Sequence, residues 1–255
     1  MKKIISLFLF IAIVSFSMAS APVFYQLKVY HLKNQTQEKN LDLFLEKSYI
    51  PALHRANIKS VGVFKERIQK NSNDILLYVF IPFENFEATL SLEKTLLEDQ
   101  VYLQTGKEYI EATINEPAYL RIETILLKAF VDSPFSPNPA LKGPKKDRVY
   151  ELRSYESPSE KLHHNKVDMF VKGDEIGLFK RLGFNAVFYG EVLAGRKMPN
   201  LMYLTTFENQ ADRDAHWDSF GNDAYWKKLS ADSQYQNNVS KNEQLYLYPT
   251  DYSDI

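Results

Sequence analysis

The chain has 255 residues, with 31 Lys plus Arg against 32 Asp plus Glu, so there is no basic excess to drive general nucleic-acid binding. A hydrophobic share of 45% against 25% charged residues is a globular balance and excludes wholesale disorder. The absence of cysteine excludes disulfides, thiolate catalysis, cysteine zinc sites and iron–sulfur clusters.

The first segment, residues 1–21, reads as an export signal. Lys2 and Lys3 precede an apolar run from Ile4 to Phe16, and small residues follow at Ser17, Ala19, Ser20 and Ala21. The run is shorter than the roughly 18 to 20 residues a membrane span needs. Cleavage is expected after Ala19 or Ala21, leaving an exported protein without a membrane anchor. A bacterial periplasm is the simplest destination.

Alternation predicts a strand over 23–31. Leu41, Phe44, Leu45, Ser48, Ala52 and Leu53 then form a helical stripe, with Pro51 expected to kink or restart the helix. Strands are predicted at 58–68 and 74–82, helices at 84–96 and 99–112, and a strand at 118–130. Residues 132–147 carry Pro134, Pro137, Pro139 and Pro144 and read as a linker. Beyond it come a strand at 148–156, helices within 158–182, strands at 184–193 and 200–207, helices at 210–219 and 222–229, and a strand at 242–248. The linker divides the chain into a first half, 22–131, and a second, 148–255.

The halves repeat. FYQLKVY at 24–30 aligns with VYELRSY at 149–155, and LLYVFIPFEN at 76–85 with LMYLTTFEN at 201–209. Each half is β-α-β-β-α-β, the ferredoxin-like order, with its second helix broken. A four-stranded sheet with helices on one face leaves its other face to be covered. Two such halves cover each other, so the expected architecture is α+β, with tandem ferredoxin-like halves forming an internal dimeric α+β barrel.

The residues that carry a family resemblance lie mainly in the second half. They are Tyr150 to Tyr155, Leu178 to Phe184, Val187 to Glu191, Met198 to Tyr203, Arg213 and Tyr225 to Leu229. In the first half, Tyr49 to Ile58 and Val61 to Phe64 fit less closely. This pattern resembles the NIPSNAP family of the dimeric α+β-barrel superfamily, over nearly all of residues 22–250. The resemblance implies a fold shared by cofactor-free monooxygenases, haem enzymes and small-molecule lyases or isomerases. It implies no single reaction. Where the second half has Glu151 and Arg153, the first has Gln26 and Lys28, so motif chemistry is expected in the second half.

Period-2 alternation places Glu151, Arg153 and Tyr155 on one sheet face, with Tyr150, Leu152 and Ser154 on the other. Glu151 and His163 are the candidate proton-handling groups. Arg153 and Arg213 are candidate anion partners, and Tyr155, Tyr189 and Tyr203 candidate orienting hydroxyls. Trp217 and Trp226 are candidate ligand-binding aromatics, with Arg213 one helical turn before Trp217. The competing reading makes this set an internal ion pair and a pair of tryptophans that pin short helices to the sheet. His164 with Asp168, and Asp212 with His216, offer two ligands each where a metal needs three or four, so no metal site is expected. No cofactor is expected either. Haem on His163 or His216 is a minor alternative. No phosphate loop, dinucleotide fingerprint or nucleophile elbow occurs.

The function expected is small-molecule binding in an α+β-barrel pocket, in a form that could support cofactor-independent catalysis. The rival is a non-catalytic assembly protein, and further homo-oligomerisation fits both.

Overall fold

The computed structural model describes residues 23–68, 74–131, 133 and 139–255. The expected export segment lies outside them, as do residues 132 and 134–138 of the expected linker.

The first half runs β1 (Phe24–Leu32), α1 (Gln35–Phe44), α2 (Ile50–Arg55), β2 (Gly62–Glu66), β3 (Ile75–Phe83), α3 (Phe86–Glu98), α4 (Gln100–Thr105), α5 (Lys107–Ile110) and β4 (Arg121–Ala129). The second runs β5 (Val149–Glu156), α6 (Glu160–Val171), α7 (Glu175–Arg181), β6 (Asn185–Ala194), β7 (Asn200–Phe207), α8 (Gln210–Asn222), α9 (Ala224–Ala231) and β8 (Lys241–Pro249). The eight strands close into one antiparallel barrel in the order β4-β1-β3-β2-β8-β5-β7-β6, with β6 returning to β4. Each half contributes four adjacent strands in ferredoxin-like order. Two seams join the halves. Phe64–Glu66 of β2 pair with Leu247–Pro249 of β8, and Leu126–Ala129 of β4 pair with Gly190–Ala194 of β6 across a bulge.

The repeated sequence has a local cause. The shared Phe-Glu-Asn ends a strand and begins a helix. Asn85 and Asn209 both sit in extended backbone, and their side chains accept from the backbone N–H three residues on. Asn34 and Ser159 do the same for α1 and α6. Each such cap is worth about 1 kcal/mol. Between α1 and α2 the helix widens into a π turn, Leu45–Tyr49, where the Ile50 N–H reaches back to the Leu45 carbonyl. Pro51, which lacks an N–H and crowds the preceding turn, follows at once, so the helix restarts rather than breaks. All six residues of the predicted stripe are buried.

Alternation along the strands sends one set of side chains inward and the other beneath the helices. Tyr25, Leu27, Phe64, Phe80, Tyr150, Leu152, Phe188 and Leu204 fill the barrel lumen. Phe80 stacks on Phe188 at 4.8 Å and Phe64 meets Tyr150 at 5.1 Å, so aromatic contacts bridge the halves. Residues 250–255 bond back to residues 61–63 beside β2. Thr250 N–H donates to the Val63 carbonyl, Val63 N–H to Ser253 Oγ, and Asp254 N–H to the Val61 carbonyl. These bonds place Ile255, 3% exposed, in the lumen cluster. The opposite sheet faces pack under the helices as two separate layers, one per half.

The described part of the predicted linker is bonded to the second half. Lys142 N–H and Gly143 N–H donate to the two carboxylate oxygens of Glu208 at 2.7 and 2.6 Å.

Candidate functional site: a buried charge network beneath the second-half helices

The helix-facing side of β5 carries Glu151, Arg153 and Tyr155, while Tyr150 and Leu152 turn into the lumen, as alternation predicts. Glu151 is fully buried. Its Oε1 accepts from Arg153 Nε at 2.7 Å and from Arg213 Nη2 at 3.0 Å. Its Oε2 accepts from Arg213 Nε at 2.8 Å and from Trp217 Nε1 at 2.7 Å. Arg213 and Trp217 come from α8, one turn apart, so a single carboxylate ties two arginines and an indole from two elements. The Arg153 guanidinium carbon lies over the Trp217 ring, 3.7 Å from its centre, with that of Arg213 at 5.6 Å. Burial works against the Arg153 charge, but the Tyr203 and Tyr155 phenols and Glu151 raise its pKa above the ordinary guanidinium range. Glu151 thus has both oxygens engaged by donors. These bonds fix the two arginines and the indole around one carboxylate.

Arg153 Nη1 donates to the Tyr155 hydroxyl at 3.2 Å, and that hydroxyl meets the Tyr203 hydroxyl at 2.8 Å. Tyr203 lies directly across the ladder from Arg153. Burial pushes the Tyr203 phenol well above its usual range.

In front of this network a cavity of about 330 Å³ opens between sheet and helices. Arg153, Tyr155, Trp217 and Trp226 border it, together with Lys166 and Glu175. Lys166 and Glu175 are 5% and 2% exposed and paired at 3.0 Å. Lys166 Nζ also lies 5.5 Å from the Tyr155 ring centre and 4.7 Å from that of Phe170. Burial raises the Glu175 pKa, opposed by the Lys166 charge and, more weakly, by Arg153. Across Arg153, Arg213, Lys166, Glu151 and Glu175 the ionised charges sum to +1, with two cations on the cavity wall.

The structure separates the predicted residues into three groups. Arg153, Tyr155, Trp217 and Trp226 reach the cavity. Glu151, Arg213 and Tyr203 stand behind them and hold them in place. Tyr189 packs deeper, stacked on Tyr203 at 5.6 Å and on Phe179 at 6.2 Å, and does not border the cavity. His163 also lies off the cavity wall. Its Nε2 meets Glu191 Oε1 on β6 at 3.1 Å, and that contact lowers the Glu191 pKa. His216 Nδ1 bonds the Asp212 carbonyl at 2.7 Å, and its ring stands edge-on to Phe184. Among the described residues, no three His, Asp or Glu side chains gather as a metal site.

Lys166 and Glu175 were not singled out from the sequence. Lys166 follows His163 by three on the stripe that contains Phe170, so its inward position was legible. Glu175 was harder to place. Asp174, immediately before it, adopts left-handed backbone with φ 55°, which turns α7 and aims Glu175 back at α6.

The NIPSNAP family model matches residues 150–254. No curated protein matches the chain. Among solved structures, a provisionally assigned monooxygenase from Fusobacterium nucleatum superposes with TM-score 0.58 at 9% identity, covering 90% of this chain and 93% of its own. One from Lactobacillus acidophilus gives 0.56 at 10% identity, covering 89% and 94%. An anthrone oxidase-like protein gives 0.54 at 12%, covering 89% and 91%. At these identities the likeness is one of fold: an α+β barrel spanning nearly the whole chain. Residues 150–254 thus carry the NIPSNAP family pattern, and that match lies over the half that holds the buried charge network.

Proposed function

We propose that the second-half cavity binds a small anionic or phenolic molecule. One observation carries this reading: two cations, Arg153 and Lys166, stand on the wall of a half-open cavity, fixed there by carboxylates that lie behind or beside them. A ligand anion would meet Arg153, which borders the cavity, and its ring would stack against Trp217 and Trp226. The Tyr155–Tyr203 hydroxyl pair, polarised by Arg153, would orient a ligand oxygen. Lys166 with Glu175 would hold a proton next to it, which gives the site the parts for cofactor-independent proton transfer. The lumen is packed with side chains, so the ligand site lies outside the barrel, under the helices. We also propose that the protein is exported, on the strength of residues 1–21. No described helix is long and apolar enough to cross a membrane.

The test is native mass spectrometry of protein purified from its own host, on the wild type and on Arg153→Lys. A bound small molecule lost on denaturation, and depleted at least tenfold in Arg153→Lys, is the expected result. A clean protein mass in both, with no saturable binding of benzoate or phenolate analogues, would refute it and leave the assembly reading.

A further inference from the structure

The first half has its own cavity beneath its helices, about 820 Å³ and so much larger than that of the second half. The repeat explains the difference. Helices α3 and α8 have the same length and begin at Phe86 and Gln210, an offset of 124. Arg213 and Trp217, which fill the space above β5, therefore correspond to Thr89 and Glu93, and both of these border the open cavity. On the sheet, Glu151 corresponds to Gln26 and Arg153 to Lys28 at an offset of 125. The carboxylate that neutralises the arginines in the second half is thus an amide in the first.

The consequence is an uncompensated cation. Lys28 is part-buried on the cavity floor, and among the described residues no carboxylate lies within 4.0 Å of it. Its ammonium instead sits 5.4 Å from the Tyr49 ring centre. Tyr49, 3% exposed and delivered by the π turn, has a hydroxyl enclosed without a hydrogen-bond partner, and so has the Gln26 carbonyl oxygen. Both residues border the cavity. Orphaned buried polar groups cost free energy that a ligand can relieve. Phe44, Leu92, Leu96 and Tyr109 supply an apolar and aromatic part of the wall, with Thr89, Thr113 and Thr124 among its polar residues. Glu93 is exposed at the mouth and disfavours a second negative charge there.

We propose that this cavity is a second ligand site, for a monoanion with an apolar body: a carboxylic acid with a ring system or a medium acyl chain. The carboxylate meets Lys28 at the floor, the body lies among Phe44, Leu96 and Tyr109, and the outer end carries no charge. The second-half cavity, smaller and already internally paired, takes a different and more polar ligand.

The experiment is isothermal titration of the full chain with 8-anilinonaphthalene-1-sulfonate, followed by competition with decanoate and with decanol. One saturable site is expected, displaced by decanoate and at least about tenfold less well by decanol, as loss of a charge-assisted contact implies. Lys28→Met should weaken both anions at least about tenfold, and Lys28→Arg should restore them to within about threefold. Gln26→Glu supplies Lys28 with the partner found in the other half and should weaken binding as Lys28→Met does. If Lys28→Met fails to fold, Gln26→Glu decides alone. Absence of saturable binding, or equal binding by Lys28→Met or a folded Gln26→Glu, overturns the assignment. A probe that responds to Arg153→Lys and not to Lys28→Met occupies the second-half cavity. That outcome refutes this site while leaving the preceding proposal intact.

Discussion

Glu151→Gln removes one charge and almost no volume from the centre of the second-half network. The carboxylate accepts from Arg153, Arg213 and Trp217 and is 0% exposed. A glutamine keeps one acceptor oxygen but turns the other into an NH₂, which faces donors and can accept from none of them. Two guanidinium groups are then left side by side without an anion. Removing one partner of a buried ion pair costs about 3–5 kcal/mol. The arginine side chains are 10% and 14% exposed, so water can reach part of each. The lower end of the range, about 3 kcal/mol, is therefore expected. For a chain of this size that lowers Tm by about 6–12 °C. Urea unfolding followed by circular dichroism measures it, and the two tryptophans, both at this site, give a local fluorescence record. A double-mutant cycle with Arg213→Met sharpens the test. Removing one arginine should recover part of the loss, with a coupling of at least about 1 kcal/mol. A Glu151→Gln protein within about 0.5 kcal/mol of wild type would show that the network carries no stability and that the positioning argument is wrong.

Three further outcomes follow from other parts of the molecule. Burial raises the Glu175 pKa against the pull of Lys166. A raised carboxylate pKa means the folded state holds the proton more tightly than the unfolded one, so its contribution is full at low pH and lost as pH rises through the folded value. Lys166→Met removes the opposing cation, so this variant should gain stability relative to wild type as pH falls from neutral towards 5; a constant difference across that range would contradict the pairing. Ile255→Ala should cost about 2–4 kcal/mol by opening a void in the lumen, read as a shift in urea midpoint at constant slope. Glu208, whose pKa is lowered by the backbone N–H groups of Lys142 and Gly143, clamps the linker more strongly when ionised. Glu208→Ala, or acid pH in the wild type, should speed proteolytic cleavage within 139–147; unchanged cleavage would argue that the clamp is idle.

Most of the fold was legible because period-2 and period-3.6 patterns are strong here and are repeated. The two Phe-Glu-Asn segments mark strand ends and helix caps in both halves, and the face of Arg153 was set by alternation alone. The lumen was harder. Both faces of the sheet carry aromatics, so Tyr150 and Tyr155 look alike in sequence although one packs inside the barrel and the other beneath α6. The site was only partly readable. That Glu151 and Arg213 would meet depends on α8 crossing β5, a contact 62 residues apart in the chain. The divergence of the two cavities was present in the aligned pairs Glu151/Gln26 and Arg153/Lys28. Its effect on space appears only once Thr89 and Glu93 are seen where Arg213 and Trp217 stand.

The two seams between the halves have a thermodynamic consequence. Both close within a single polypeptide, so forming the barrel is a first-order event whose equilibrium is independent of how much protein is present. A barrel assembled from two separate chains must gain enough at its seams to offset lost translational freedom, and it falls apart on dilution. Here short seams suffice: three residue pairs between β2 and β8 and four across the bulge between β4 and β6. The linker supplies the partner strand at a high effective concentration. The unfolding temperature of this chain should therefore stay constant from micromolar to nanomolar protein, and any concentration dependence observed would report association between whole barrels rather than closure of one.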